Sequence, residues 1–341
     1  MKNKAVFLFS PGPFGGAEKI VLRAAKAMEI PILLIKEKRN PKPCEEFIKK
    51  LSELHIEYLV INSSSRFDNK LIKELNSKIN HLNIDTVHSH GMKANFINSF
   101  LKANRVATQH GKTSHTLKTR VLEKIEELRL KNIHKLVCVS EEMFENTRHP
   151  HKILVENFIP ELLEYKQREK SEEERLKVVF IGRLSKEKGI LPLLEIATKL
   201  KDFDFHIYGQ GDLDHLIINA SKSSQNIYYH GFDLEISKNL YPFHLLIMPS
   251  FREGLPLVAL EALASGLPIL ASQVGGLPKL LDNDIFLAKP GNPEDFIQKV
   301  EFINNQYTDI QTEIKEISKT ISSNYSLKNW IEKTNAIYES F

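Results

Sequence analysis

The sequence predicts an α/β protein made of two doubly wound domains in series. Three observations carry this. Short apolar runs rich in Val, Ile, Leu and Phe alternate with helical stretches along all 341 residues. The runs are continuous and not alternating, which marks strands buried on both faces of a parallel sheet. Two such series follow one another across a charged segment, in a chain too long for one ordinary open-sheet domain.

The first series is AVFLFS (5–10), PILLIK (31–36), EYLVIN (57–62), TVHSH (86–90), VATQH (106–110) and KLVCVS (135–140). The second is KVVFIG (177–182), FHIYG (205–209), IYYHG (227–231), LLIMPS (245–250) and PILAS (268–272). The boundary falls near 160–176, where a proline precedes a dense charge run and a solvated linker helix is expected. The expected domains are 1–165 and 166–324, each Rossmann-like. The stretch from about 325 to 341 is helical in pattern and carries the single tryptophan, Trp330. No internal repeat and no low-complexity tract interrupts this order.

A hydrophobic content of 42% and a charged content of 26% are those of a soluble globular chain. Cys44 and Cys138 lie far apart without CxxC spacing, so neither a disulfide framework nor a structural zinc is expected, and a reducing compartment is. MKNKAVFLFS runs straight into PGPFGG, which reads as a strand and a glycine-rich loop, not a secretory leader. No apolar run is long enough to span a bilayer. A cytoplasmic location, peripheral at most to the inner face of a membrane, is therefore expected, and no nucleic-acid partner. Charge is uneven: residues 1–165 carry 27 Lys+Arg against 19 Asp+Glu, whereas 166–341 carry 20 against 24. The first half can thus meet something anionic, such as a lipid surface, or simply be solvated.

Three segments carry candidate chemistry. In SFREGLPLVALEALASGLP (250–268), Pro256 suits the first turn of a helix whose only charge is Glu261. A helix apolar all round is buried, and a buried carboxylate needs partners, either ligand hydroxyls or a salt bridge. Glu253 stands before that helix beside the amides of Gly254 and Leu255, which favour an anion or a polar sugar. In FIGRLSKEKG (180–189), Arg183 follows a buried strand and Lys188 lies five residues on. Converging there, the two cations would neutralise a diphosphate; the plain alternative is a solvated loop. In SPGPFGGAEKI (10–20), Gly12, Gly15 and Gly16 separate a strand from a helix, and glycines there admit a phosphate or make a plain turn. The spacing is not G-x-G-x-x-G, which disfavours a nicotinamide site. His88, His90, His110 and His115 follow strands of the first sheet without ligand spacing for a metal, and His110 is the candidate sugar contact. Asp202-Phe-Asp204 and Asp282-Asn-Asp284 imitate a DxD metal motif and read as structural. No metal and no cofactor is expected.

In order along most of the chain, FGGAE, VHSHG, QHG, CVSEEM, VENFIP, FIGRLSKEKG, IYGQG, HGF, PSFREGLPLVALEALASGLP and VGGLP resemble the retaining glycosyltransferases of family four. Glu253, seven residues before Glu261, with GRL…KEKG upstream, is the family's E-x7-E signature. The resemblance implies a GT-B fold, two Rossmann-like domains with a cleft between them, and a nucleoside-diphosphate sugar donor, with a UDP-sugar expected. It implies that Arg183 and Lys188 hold the diphosphate, Glu253 the transferred sugar and Glu261 the ribose. Gly15 and Gly16 then admit the donor, His110 faces the sugar, and Gly209, Gly211 and Phe232 lie near the base. It implies that the helix around Trp330 crosses back onto the first domain. Two positions depart from the family pattern: Lys279 where an acidic residue is common, and Phe158 where glycine is usual. The expected acceptor is a lipid-linked or surface glycan. The rival readings are a small soluble acceptor, and an inactive donor-binding subunit of a polysaccharide assembly.

Overall fold

The computed structural model describes residues 4–64, 68–110, 128–159, 163–281 and 283–341. Asp282, Gly111 and His115 lie outside the described residues, as do Lys112, Lys118, Arg120 and Lys124, basic residues of the first half expected to face an anionic surface. The chain divides into two compact units, residues 1–160 with 327–341, and residues 161–326.

Unit one holds a sheet of seven parallel strands in the order β3-β2-β1-β4-β5-β6-β7. They are β1 Ala5–Phe9, β2 Ile32–Glu37, β3 Tyr58–Ser63, β4 Thr86–His90, β5 Asn104–Gln109, β6 Lys135–Cys138 and β7 Lys152–Leu154. β1 pairs with β4 in the register Ala5↔Thr86 to Phe9↔His90, and the strand order reverses there. The core beneath is aliphatic: Val6, Leu8, Leu33, Ile35, Leu75, Val87 and Ile97 are all at most 2% exposed. The helix Leu327–Glu339 belongs to this unit, and Trp330 lies 5.0 Å, ring to ring, from the buried Phe158. That contact gives the aromatic ring at 158, a departure from the family pattern, a packing role.

Unit two holds six parallel strands in the order β10-β9-β8-β11-β12-β13. They are β8 Lys177–Ile181, β9 Asp204–Tyr208, β10 Ile227–Gly231, β11 Leu245–Met248, β12 Ile269–Ser272 and β13 Leu287–Ala288. Both sheets are parallel throughout, as the continuous apolar runs require. Burial on both faces fails at the outer strands, however. On β3, Tyr58 and Leu59 are 37% and 36% exposed, and β10 alternates buried with open positions. An outer strand has a neighbour on one side only, so less of its surface is covered.

The expected linker helix is absent: no helix occurs among the described residues 163–176. The segment is irregular, with a turn at 172–174, and Arg168 is drawn inward, to 4% exposure. Its guanidinium donates to the carbonyls of Phe243 at 3.0 Å and Ser265 at 2.8 Å, and its amide to Gln311 Oε1 at 3.1 Å. Ser265 is the C-cap of the helix Leu257–Ala264, where a cation meets the negative end of the helix dipole. A helical linker could not bring Arg168 to these carbonyls while Lys166 N also donates to Ser265 O at 3.2 Å.

Candidate functional site

In unit two the strand order reverses between β8 and β11, and ligands of open α/β sheets bind beyond the strand carboxyl ends at such a point. The loop 182–189 leaves β8 there and the loop 249–256 leaves β11. The two run against each other: Phe251 N donates to Glu187 O at 2.8 Å. Gly189, at φ +72°, lies so near that an added Cβ would stand 1.9 Å from Pro249 O, so only glycine fits. Gly275, at φ +58°, presses on the other side, its Cβ position 2.0 Å from Glu253 O. The loop 249–256 is thereby held at two points, Pro249 against Gly189 and Glu253 against Gly275.

The Glu253 side chain is only 4% exposed. Lys188 Nζ donates to both carboxylate oxygens, at 2.6 and 2.7 Å, and Ser250 Oγ donates to Oε1 at 2.7 Å. Sequence reading gave Lys188 and Glu253 separate tasks; without ligand they hold each other. Lys188 is 28% exposed, so its ammonium is open to solvent on one side. Arg183 is exposed and makes no ion pair or side-chain hydrogen bond among the described residues. Gly254 is half-buried and Leu255 buried, just ahead of the helix Leu257–Ala264. Pro256 is the N-cap, one residue before the first turn where it was expected. Glu261 is 4% exposed on that helix and is partnered within the protein. Gly209 and Gly211 follow β9 and run along the β8 loop, with Leu184 N donating to Gln210 O at 3.1 Å, and Phe232 is 46% exposed after β10. Asp204 stands at the opposite edge of the sheet, paired with Arg175 at 2.9 Å. Among the described residues no cluster of three or more His, Cys, Asp or Glu side chains could hold a metal ion.

Unit one presents two features at the carboxyl ends of β1, β4 and β5. The glycine loop after β1 is occupied by the chain itself. Glu18, 6% exposed, accepts from Gly12 N and Gly15 N, both at 3.0 Å. The N–H groups of Gly12 and Gly15 thus hold an anion of the chain itself, the carboxylate of the first helical turn. The second feature is a column of imidazoles. His88 and His90 stack at 4.4 Å, and His90 and His110 at 5.3 Å. His88 bonds Thr108 Oγ1 and Tyr338 OH, both at 2.7 Å, and His90 Nδ1 lies 3.1 Å from His110 Nε2. Desolvation holds all three below the ordinary histidine value: His88 at about 3, His110 at about 4, and His90 well below it. These rings are neutral at pH 7.

Sequence reading gave no role to Ser250, Glu18, Thr108, Tyr338 or Arg168. Glu18 was legible as the acid three residues after Gly15, the N3 position of a capping box whose N-cap lacks a side chain. Ser250 lies in the same loop as Glu253, three residues before it, whereas Thr108, Tyr338 and Arg168 take part through long-range contacts that sequence spacing does not reveal.

Two doubly wound units, each built on a parallel sheet, have the architecture of the GT-B fold. Known proteins agree. The model of glycosyltransferase family 4 matches residues 14–155, and that of glycosyl transferases group 1 matches residues 175–305. The chain belongs to glycosyltransferase family 4, and is thus a retaining transferase that takes a nucleotide sugar as donor. It is 26% identical over 274 residues to an uncharacterized glycosyltransferase of Methanocaldococcus jannaschii, covering 75% of each chain. It is 28% identical over 181 residues to the O-antigen biosynthesis glycosyltransferase WbnH of Escherichia coli, a match spanning 52% of each. Among solved structures, Anabaena HepE in complex with UDP superimposes with a TM-score of 0.81 at 16% identity, covering 99% of this chain and 100% of that one. The lipopolysaccharide outer core galactosyltransferase WaaB gives 0.74 at 16% identity, covering 99% of both. These two likenesses show the fold.

Proposed function

We propose that the enzyme transfers a hexose from a UDP-sugar to a lipid-linked or surface glycan, with the donor held on unit two. The observation that carries the donor site is the Lys188–Glu253–Ser250 cluster at the switch point, beside the unpaired Arg183. Arg183 and Lys188 take the diphosphate, Glu253 the sugar, and Glu261 the ribose. The amides of Gly254 and Leu255 lie beside the sugar, and Gly209, Gly211 and Phe232 border the base. In unit one, Gly15 and Gly16 border the donor and His110 meets the sugar. The bond from the anomeric carbon to the leaving phosphate oxygen breaks, and the nucleoside diphosphate keeps the electron pair. An acceptor hydroxyl oxygen adds on the same face, and its proton passes to the leaving phosphate. The two cations and the helix amides stabilise the charge that develops, and no metal is needed for it.

A thermal-shift screen across UDP-, GDP- and ADP-sugars tests the donor, since a ligand of the folded state raises its stability. Stabilisation by UDP-sugars, lost in Arg183→Ala, is expected; stabilisation by another nucleotide class alone would replace the base assignment.

Support for the acceptor comes from the charge split between the two halves and from the O-antigen role in the name of the Escherichia coli relative. No helix among the described residues is long and apolar enough to cross a membrane. Around the loop after β2, Lys36, still in that strand, is paired with Glu45 at 2.9 Å, and Lys42, which opens the next helix, approaches Glu46 at 4.0 Å. Lys38 and Arg39 are exposed and make no ion pair among the described residues. At about 1 kcal/mol per basic residue, such a surface gives reversible, salt-sensitive docking. Co-sedimentation with anionic but not neutral liposomes, abolished by salt, is the expected result. Equal behaviour with both lipids at low salt would favour a soluble acceptor.

A further inference from the structure

His90 is fully buried, and its two ring nitrogens have unequal surroundings. Nδ1 faces His110 Nε2 at 3.1 Å, whereas the buried Nε2 has no hydrogen-bond partner. The column is rigid around it: Phe7 packs edge-on against His88 and His90, with ring centroids 5.5 and 4.8 Å away. A neutral His90 carries one proton, and its place decides that of His110. With the proton on Nε2, a buried N–H would go without an acceptor, and His110 would have to donate from its own Nε2. With the proton on Nδ1, His90 donates to His110 Nε2, and only a lone pair is left unpaired. Orphaned buried N–H groups are the rarer of the two. His110 must then carry its proton on Nδ1, which makes no hydrogen bond among the described residues.

We infer that His90 is a positioning residue that locks His110 as the Nδ1–H tautomer, so that His110 offers a hydrogen-bond donor to an oxygen of the transferred sugar. This rests on the reading of His110 as a sugar contact. His88 completes the column from the other side, fixed by Thr108 and Tyr338.

Long-range proton–nitrogen correlation NMR on the protein labelled with 15N-histidine reads the tautomers directly at pH 7.5, without substrate. His90 and His110 are both expected to be neutral and protonated on Nδ1. A proton on Nε2 of either ring overturns the inference. His90→Phe keeps the ring stack and removes the donated proton. The expected result is loss of the single His110 tautomer and a fall in kcat of about tenfold, with UDP affinity unchanged. His90→Asn, whose amide nitrogen can stand in for Nδ1, should recover both. If His110→Ala loses kcat while His90→Phe keeps it, the positioning role fails. If neither variant changes kcat, the sugar contact itself fails, whatever the tautomer.

Discussion

Lys188→Ala separates the two jobs that this lysine holds. The substitution leaves the Glu253 carboxylate, 4% exposed, with Ser250 Oγ as its remaining side-chain partner among the described residues. Breaking a buried ion pair from one side costs roughly 3–5 kcal/mol. Lys188 is itself 28% exposed, so water can enter the gap and the expected loss is nearer about 2–3 kcal/mol. The pair lies within unit two, residues 161–326, a body of the size for which 1 kcal/mol shifts Tm by about 2–4 °C. Scanning calorimetry should therefore show one transition lowered by roughly 5–10 °C. Glu253→Gln should lower it far less, because the ammonium left behind reaches solvent, and the double variant Lys188→Met/Glu253→Gln should return most of the loss. Arg183→Ala, which removes an exposed side chain, should leave Tm unchanged while weakening UDP binding about tenfold or more. Binding by the Lys188 variant must be measured below its lowered transition. A Lys188→Ala protein with the wild-type Tm, or no less stable than Glu253→Gln, would refute the argument that this lysine neutralises a buried charge in the free enzyme.

Acid should unfold unit one before unit two. Burial lowers His88, His90 and His110 in the first and His244, at about 4, in the second, so the unfolded chain binds more protons below its own value of 6.5. Stability is then whole above about pH 7 and falls below 6.5, by up to about 1.4 kcal/mol per pH unit for each buried ring, less for the partly exposed His110; a Tm that stays flat down to pH 5 would contradict this. Arg168→Met leaves the C-terminal carbonyl of the helix bearing Glu261 without its cation, and should weaken nucleotide binding severalfold with a clear loss of stability; calorimetric titration that matches the wild type would remove Arg168 from the support of that helix. Activity should survive excess EDTA, and full loss restored by manganese or magnesium would return the charge on the leaving group to a metal.

The fold was legible because its strands are buried: KVVFIG and LLIMPS carry no polar alternation, and residues of that kind stay apolar on both faces. The same rule overstated the outer strands, where Tyr58 and Leu59 keep an apolar identity without the covering. β7 and β13, three and two residues long, were too short to leave a pattern. At the site, the spacing of Glu253 and Glu261 was visible because it lies within one loop and one helix. The pairing of Lys188 with Glu253 spans 65 residues and depends on Gly189 and Gly275 closing two loops, which spacing does not report. The linker misled for a physical reason: a dense charge run resembles a solvated helix, and nothing local reveals that carbonyls at 243 and 265 will draw one of its arginines inside.

The bond between Tyr338 and His88 joins residues 250 positions apart, with the whole of unit two encoded between them. On the ribosome, the first seven strands emerge long before the helix that closes their histidine column. Unit two is synthesised without interruption, so its core can consolidate as soon as its last helix clears the exit tunnel, while its elder neighbour still waits. Until Leu327–Glu339 arrives, Phe158 lacks its tryptophan and the His88 ring lacks a phenol to bond. A nascent chain halted before this helix should thus hold a finished second unit beside an unfinished first. Early protease sensitivity would then fall on the part of the protein that was made first.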